Sequence, residues 1–397
     1  MKIKSVRQLK DLRGKRIFLR SDFNVPTERG EIKDDYKIVA GLPTIRFLLR
    51  YKCKIIIATH LESSQKHDST KSIALRLSKL LGRKVKFAGD CIGIRVKNAV
   101  DKMKDGDILM LENLRIYDGE KNNDKKFAED LAAFADIYIN NAFAASHRAH
   151  ASVDAIKKYL PSYAGLLLEE EILILNKALK PKRPFVAVMG GAKISTKLPL
   201  LKKFLKTADY ILVGGALANN FLSARGLPIG CSLVSKEDIA LAKELYAGSG
   251  AKKILLPIDV IVSGISASSV LSKKDGEGNV KVKKIKEVGA NDFILDIGPA
   301  TIKLFAERIK KARTIIWNGP MGMFEAEHFR HGTLSVARVI AARSRGAAFG
   351  VAGGGETIEA LKMTKMAEYV DWVSTGGGAM LAYLGGAKMP GLEGIVK

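Results

Sequence analysis

The sequence is poor in cysteine, with three in 397 residues. Cys53, Cys91 and Cys231 stand too far apart for a CxxC pair or a Cys/His ligand spacing, which excludes a disulfide framework and a zinc site and leaves them as small core residues. Long apolar runs are missing too: no stretch reaches the roughly 18 residues that a membrane-spanning helix needs. Residues 1–10 alternate charge with aliphatic side chains and lack the apolar block of a signal peptide. The expectation is a soluble, cytoplasmic protein without a membrane partner. No GxxxxGKS/T phosphate loop occurs. Nor does a GxGxxG open a βαβ unit with an acidic residue about 20 positions later, which argues against a dinucleotide dehydrogenase. Acidic residues are in deficit, 41 against 66 lysines and arginines, for a formal charge of +25. Such a surplus suits nucleic acid, an acidic surface or small anionic substrates. The lysines, among them Lys102, Lys157, Lys202 and Lys283, are spread along the chain rather than gathered into one aromatic-interleaved tract. Most are therefore read as solvated faces, and no specific nucleic-acid partner is expected.

What is present is apolar material, 47% of residues against 27% charged. The length exceeds what one hydrophobic core usually supports, so two domains are expected. Short β-branched runs alternate with amphipathic stretches, the pattern of an α/β fold whose mainly parallel sheets carry helices on both faces. In the first half the strands are read at 16–20, 54–60, 107–113 and 136–140, with helices at 37–50 and 72–82. A long helix at 165–180, stopped by Pro181 and Pro184, is placed to join two lobes. A second series of strands follows at 184–191, 210–215, 253–257, 259–263, 292–298, 314–319 and 347–355. Ser235, with Asp238 three residues on, signals a capped helix start, and Gly248 its end. Residues 270–285 read as a polar hairpin turning at Asp275-Gly276.

In an open α/β sheet, ligands sit beyond the carboxyl ends of the strands, where helix N-termini offer unpaired N–H groups to anions. The second half repeats glycine at that edge: Gly190-Gly191, Gly214-Gly215, Gly298, Gly319, Gly353-Gly354-Gly355 and Gly376-Gly377-Gly378. Without a Cβ, glycine lets a base or phosphate approach the backbone, and so many such loops point to a nucleotide. Lys193 and Lys197 stand where the helix after "VAVMGGAKISTK" should begin, and Glu325 is placed to accept from a ribose. The first half carries cations and polar groups at the corresponding edge: "RSDFNVP", "THLESS", "ENLR" and "NNAFAASHRAHAS". His60, Arg115, His147, Arg148 and His150 read as donors converging on a highly charged anion, with Asp22 and Asn24 on its hydroxyls.

Together with "GGAKISTK", "LPIDV", "DIGPAT", "WNGPMGMFE", "GGGET", "STGGGA" and "MPGLEG", these motifs resemble the phosphoglycerate kinase family from end to end. The resemblance implies two doubly wound, Rossmann-like parallel-sheet domains joined by a long helix. Residues 1–162 would bind phosphoglycerate, 163–180 form the helix, 181–380 bind the magnesium nucleotide, and 381–397 return to the N-terminal domain. It implies Asp22, Phe23, Asn24, Lys37, His60, Arg115 and Arg148 as substrate binders. The nucleotide set is Gly191, Ala192, Lys193, Lys197, Gly214, Gly215, Asn318, Glu325, Gly353, Gly354, Gly355, Glu356 and Thr357. Lys37, Lys193 and Thr357 would serve catalysis, and Glu356 the Mg2+ that accompanies ATP or ADP. The implied reaction is the glycolytic transfer of a phosphoryl group between 1,3-bisphosphoglycerate and ADP, giving 3-phosphoglycerate and ATP in a monomer whose lobes close to exclude water.

Five positions depart from the family pattern: Lys37 and Ser63 where it has arginine, Glu62 where it has glycine, Asn141 and Glu356 at two aspartate positions. Lysine keeps the charge of arginine and loses its planar fork, while glutamate keeps the metal-binding carboxylate with one more methylene of reach. Lys66 is a cation near enough in sequence to compensate for Ser63. The reading is a working enzyme with tuned activity; a nucleotide- or RNA-binding relative with impaired catalysis is the alternative.

Overall fold

The computed structural model describes residues 2–28, 30–62, 69–248, 250–272 and 279–396. Ser63, Lys66 and the Asp275-Gly276 turn lie outside the described residues. One compact unit comprises Met1–Leu173 and Lys388–Lys397, the other Ile174–Ala387, so the division falls within the helix Leu166–Ala178.

The first unit contains β1 (Arg16–Ser21), the two-residue strands β2 (Thr27–Glu28) and β3 (Glu31–Ile32), then β4 (Lys54–Ala58), β5 (Val85–Phe87), β6 (Ile108–Met110), β7 (Ile137–Asn141) and β8 (Ser162–Ala164). Six of these, among the described residues, form a parallel sheet in the order β5-β6-β4-β1-β7-β8. Ile17, Leu19, Ile55 and Ile57 enter one core; Phe18 and Ile56, at the alternate positions, are equally buried. Burial of both parities is what a sheet covered on two faces requires. The helix Tyr36–Arg50 joins that core through Ile38, Leu42, Ile45 and Leu48, one stripe at helical spacing. The chain runs from β1 toward β4 on one side and from β7 toward β8 on the other, so winding reverses between β1 and β7. A crevice opens at such a reversal, because the flanking connections leave in opposite directions.

The last residues complete this unit. Asn140 Nδ2 donates to Gly391 O at 3.0 Å, Gly391 N to Ser146 O at 2.9 Å and Lys4 N to Ile395 O at 2.9 Å. "MPGLEG" thus ties the end of the chain to the loop after β7. Asn141, one of the departures, is buried beside it, its Oδ1 accepting from Thr44 Oγ1 at 2.8 Å and Leu167 N at 3.2 Å. It anchors a helix start rather than joining the basic cluster described below.

The second unit contains β9 (Phe185–Met189), β10 (Tyr210–Val213), β11 (Ile254–Leu255), β12 (Asp259–Ser263), β13 (Lys281–Lys284), β14 (Phe293–Ile297), β15 (Thr314–Asn318), β16 (Phe349–Gly353) and β17 (Trp372–Ser374). Its parallel sheet has the order β11-β10-β9-β15-β16-β17, reversing between β9 and β15. Val186, Val188, Ile315 and Trp317 pack there with Phe305 and Ile309 of the helix Pro299–Lys311 and with Val336 and Ile340 of the helix His331–Ser344.

Two expectations change here. The runs at 259–263 and 292–298 do not continue the parallel series; β12 pairs antiparallel with both β13 and β14 in a separate sheet. The expected hairpin at 270–285 is also replaced: Ala267–Ser272 is helical, and β13 takes β12 as its partner. A polar strand can pair with any free edge, and the apolar edge of β12 offers more burial than a self-paired polar ribbon. That same strand brings "LPIDV" to "DIGPAT". The Asp259 carboxylate accepts from Ala300 N at 2.9 Å and Thr301 N at 2.7 Å. It caps the helix Pro299–Lys311, whose N-cap residue Gly298 has no side-chain acceptor of its own.

Candidate functional site

In the first unit, the segments that leave β1, β4, β6 and β7 meet at the carboxyl edge of the sheet. Lys37 Nζ lies 2.7 Å from Asp22 Oδ2, and Asn24 N donates to Asp22 Oδ1 at 3.2 Å. Glu62 N donates to Asn24 Oδ1 at 3.0 Å. The Glu62 carboxylate reaches Arg115 Nη1 at 3.2 Å and Arg148 Nη1 at 2.7 Å through one oxygen, Oε1. Among the described residues, Arg115 Nε and Nη2 and His150 Nδ1 are buried without a hydrogen-bond partner. Orphaned buried donors are costly, and clustered ones mark a place where an anion completes the bonding.

Burial, then Arg20 and Arg115, hold His60 well below the ordinary histidine range. Burial, then the same arginines, lower His150 to about 4. Both imidazoles are therefore neutral at physiological pH, leaving positive charge to the arginines and Lys37. Phe23 differs from its neighbours: its ring is wholly buried core, and its N–H donates to Thr59 Oγ1 at 2.9 Å.

Arg20, the residue that heads "RSDFNVP", was not among the expected binders. It is fully buried, donating to Ser152 Oγ at 2.8 Å, lying 3.2 Å from His60 Nδ1 and 3.9 Å from Glu120 Oε1. Glu120 in turn accepts from Ser152 N at 2.8 Å and Ser152 Oγ at 2.6 Å. This buried pair supports His60 from behind. Its only sequence signal was an arginine inside an otherwise apolar strand.

In the second unit, the reversal between β9 and β15 brings two glycine loops into backbone contact. Gly190 N donates to Asn318 O at 2.9 Å and Gly191 N to Pro320 O at 3.0 Å; a Cβ on Gly190 would stand 1.9 Å from Pro320 O. Only glycine fits that approach. Beside it a cavity of about 490 Å3 is lined by Gly191, Ala192, Gly215, Asn219, Leu222 and Leu295, with Met321 and the carboxylates Glu325 and Glu356. Its volume and mostly apolar wall fit a ligand the size of a nucleoside.

Lys197 is buried, its ammonium on the Gly190 and Asn318 carbonyls. Burial lowers its pKa to about 8, with Glu356 pulling the other way. Lys193 is exposed. Asn318 Nδ2 donates to Gly353 O at 2.6 Å, and the buried Thr357 Oγ1 accepts from Gly319 N at 2.8 Å, so both fasten the β15 loop to the β16 loop. Gly354, at φ 106°, turns the chain into the helix Gly355–Thr364, whose first turn carries Glu356 and Thr357. Gly214 caps the helix Gly215–Ala224 at the end of β10 from an extended conformation, and it is Gly215 that takes the positive φ, 62°. Burial raises the Glu325 pKa, and the charge of Glu356 on the same cavity wall adds to the rise. No group of three or more potential metal-ligating side chains occurs among the described residues. Asp296, not expected from sequence, lines this cavity, and burial pushes its pKa up to about 8 while Ile297 N and Gly332 N donate to it.

The family description "Phosphoglycerate kinase" matches residues 6–387. A phosphoglycerate kinase of Pelotomaculum thermopropionicum is 42% identical, covering 99% of both chains. That of Desulforudis audaxviator is 45% identical with 98% of each covered. The solved structure of phosphoglycerate kinase from Coxiella burnetii superposes with a TM-score of 0.84 at 35% identity, covering 99% of this chain and 98% of its own. With both switch-point clefts in place and the likeness running the full length, the chain belongs to the phosphoglycerate kinase family.

Proposed function

We propose that this kinase binds 3-phosphoglycerate in the basic cleft of the first unit and ATP in the cavity of the second, and moves a phosphoryl group between them. The observation that carries the reading is the pair of switch-point clefts of opposite character, one with orphaned guanidinium donors and one with a glycine-walled apolar cavity.

Arg115, Arg148 and neutral His60 take the ester phosphate, and Asp22 and Asn24 orient the glyceryl hydroxyl and carboxylate. The base and ribose enter the cavity past Gly214, Gly215 and Glu325. Lys193, Lys197 and the loop Gly191-Ala192 face the phosphates, as do the N–H groups at the start of Gly355–Thr364, where the helix dipole favours negative charge. Glu356 would hold the Mg2+ that accompanies the nucleotide, which when bound would neutralise charge on the phosphates. A carboxylate oxygen of 3-phosphoglycerate attacks the γ-phosphorus as the bond to the ADP oxygen breaks, giving the acyl phosphate and ADP; glycolysis runs the reverse. Lys37 is the cation we assign to the moving group, with Asp22 fixing its position until then. Positioning and electrostatics supply the acceleration, since the chain has no bond of its own to make. The full-length family match favours this reading over a non-catalytic nucleotide- or RNA-binding role. A monomer working in the cytoplasm completes it; no described helix is long and apolar enough to cross a membrane.

Steady-state turnover of 3-phosphoglycerate with MgATP, coupled to reduction of the acyl phosphate, tests the assignment. Product above background is the expected result. Nucleotide binding without any product would overturn it.

A further inference from the structure

We infer that Glu62 is a built-in competitor for the substrate's phosphate, its carboxylate seated between Arg115 and Arg148 so that the incoming anion must displace it. The inference rests on the assignment of those two arginines to phosphoglycerate.

One oxygen bridging two guanidinium groups, 3.2 and 2.7 Å away, is the arrangement a phosphate oxygen adopts between paired arginines. The carboxylate only partly fills the place. Arg115, whose side chain is 10% exposed, keeps Nε and Nη2 unpartnered among the described residues. A tetrahedral anion brings more oxygens than Glu62 offers and can satisfy them. The Glu62 side chain is 46% exposed and that of Arg148 is 42% exposed, so the carboxylate has an open path into water, where regained hydration offsets the lost guanidinium contacts. Its backbone stays behind, tethered to Asn24 Oδ1. Burial opposes its charge, but the Arg148 hydrogen bond and the charges of Arg148 and Arg115 outweigh it and hold the pKa below the usual value. Glu62 is thus ionised and present at an effective concentration that a small anion has to match.

The consequence is a threshold on affinity rather than a change of preference. Apparent affinity falls by the fraction of sites left open, and the penalty is the same for every anion. Only a ligand with further contacts, to Asp22, Asn24 and His60, offsets it. Sulfate and inorganic phosphate do not, so the site resists them.

The test compares wild type with Glu62→Gln, Glu62→Asp and Arg148→Gln, measuring KM for 3-phosphoglycerate, KM for ATP and inhibition by sulfate. With a contact of partly exposed charges, Glu62→Gln should lower KM for 3-phosphoglycerate about three- to tenfold, strengthen sulfate inhibition in step, and leave KM for ATP unchanged, which also reports an intact fold. Glu62→Asp keeps the charge and is one methylene too short to span both arginines, so it should show at least half of that drop. An aspartate variant indistinguishable from wild type would mean long-range repulsion rather than occupation and would overturn the inference, as would an unchanged KM in Glu62→Gln. Arg148→Gln should raise KM for 3-phosphoglycerate; if it does not, the assignment of the cleft itself fails, whichever way Glu62 behaves.

Discussion

With Lys197 assigned to the nucleotide phosphates, nucleotide binding should be coupled to proton uptake. Burial lowers this amine from the ordinary 10.5 to about 8, so at pH 8 about half of the molecules carry it neutral, and at pH 7 about a tenth. A bound polyphosphate favours the ammonium and drives the pKa back up. Nucleotide binding at pH 8 should then take up close to half a proton. The depression of about 2.5 units corresponds to roughly 3 kcal/mol held in the buried ammonium at neutral pH. The sign follows from the lowered folded-state value: the contribution to stability is present above the ordinary lysine pKa and lost as pH falls through about 8. Titration calorimetry of MgADP in two buffers of different ionisation enthalpy reads the uptake directly. Lys197→Met should weaken binding and reduce the uptake at pH 8 to what Asp296, the other group in this cavity that titrates near 8, contributes. If wild type and variant show the same proton uptake, Lys197 is not the group that titrates and the reasoning is wrong.

Three further outcomes follow from the geometry. Glu120→Gln leaves Arg20 as an uncompensated buried charge and should cost about 3–5 kcal/mol, read as a fall in the denaturation midpoint of the first unit by fluorescence or limited proteolysis. Gly391→Ala places a Cβ 2.6 Å from Val153 Cγ1 and 2.8 Å from Ser146 Cα. It should destabilise the first unit by about 1–3 kcal/mol and expose residues 388–396 to carboxypeptidase, while MgATP affinity stays at the wild-type value. Lys37→Met removes the cation assigned to the transferring group and should lower kcat about 10²- to 10³-fold without changing MgADP affinity by calorimetry; a kcat within threefold of wild type would refute that assignment.

Much of the local structure was readable in the sequence. The apolar stripe of Tyr36–Arg50 and the Ser235 cap, whose Oγ accepts from Asp238 N at 3.1 Å, are decided by side chains within a few positions of each other. The glycine loops and the basic segments at strand ends were visible too, and with them the chemical character of each cleft. What remained hidden depends on partners far apart in the chain. Whether β12 joins a parallel or an antiparallel sheet turns on which edge is free, not on its own composition. Strand order is likewise set by packing of whole layers, and it alone creates the reversals between β1 and β7 and between β9 and β15. Arg20 meets Ser152 across 132 positions and Asn140 meets Gly391 across 251; no periodicity reports such pairs. Glu62 shows the limit most clearly. The sequence establishes a carboxylate near a basic segment, but only folding puts one of its oxygens between Arg115 and Arg148, because charges find each other in space according to burial and reach rather than adjacency.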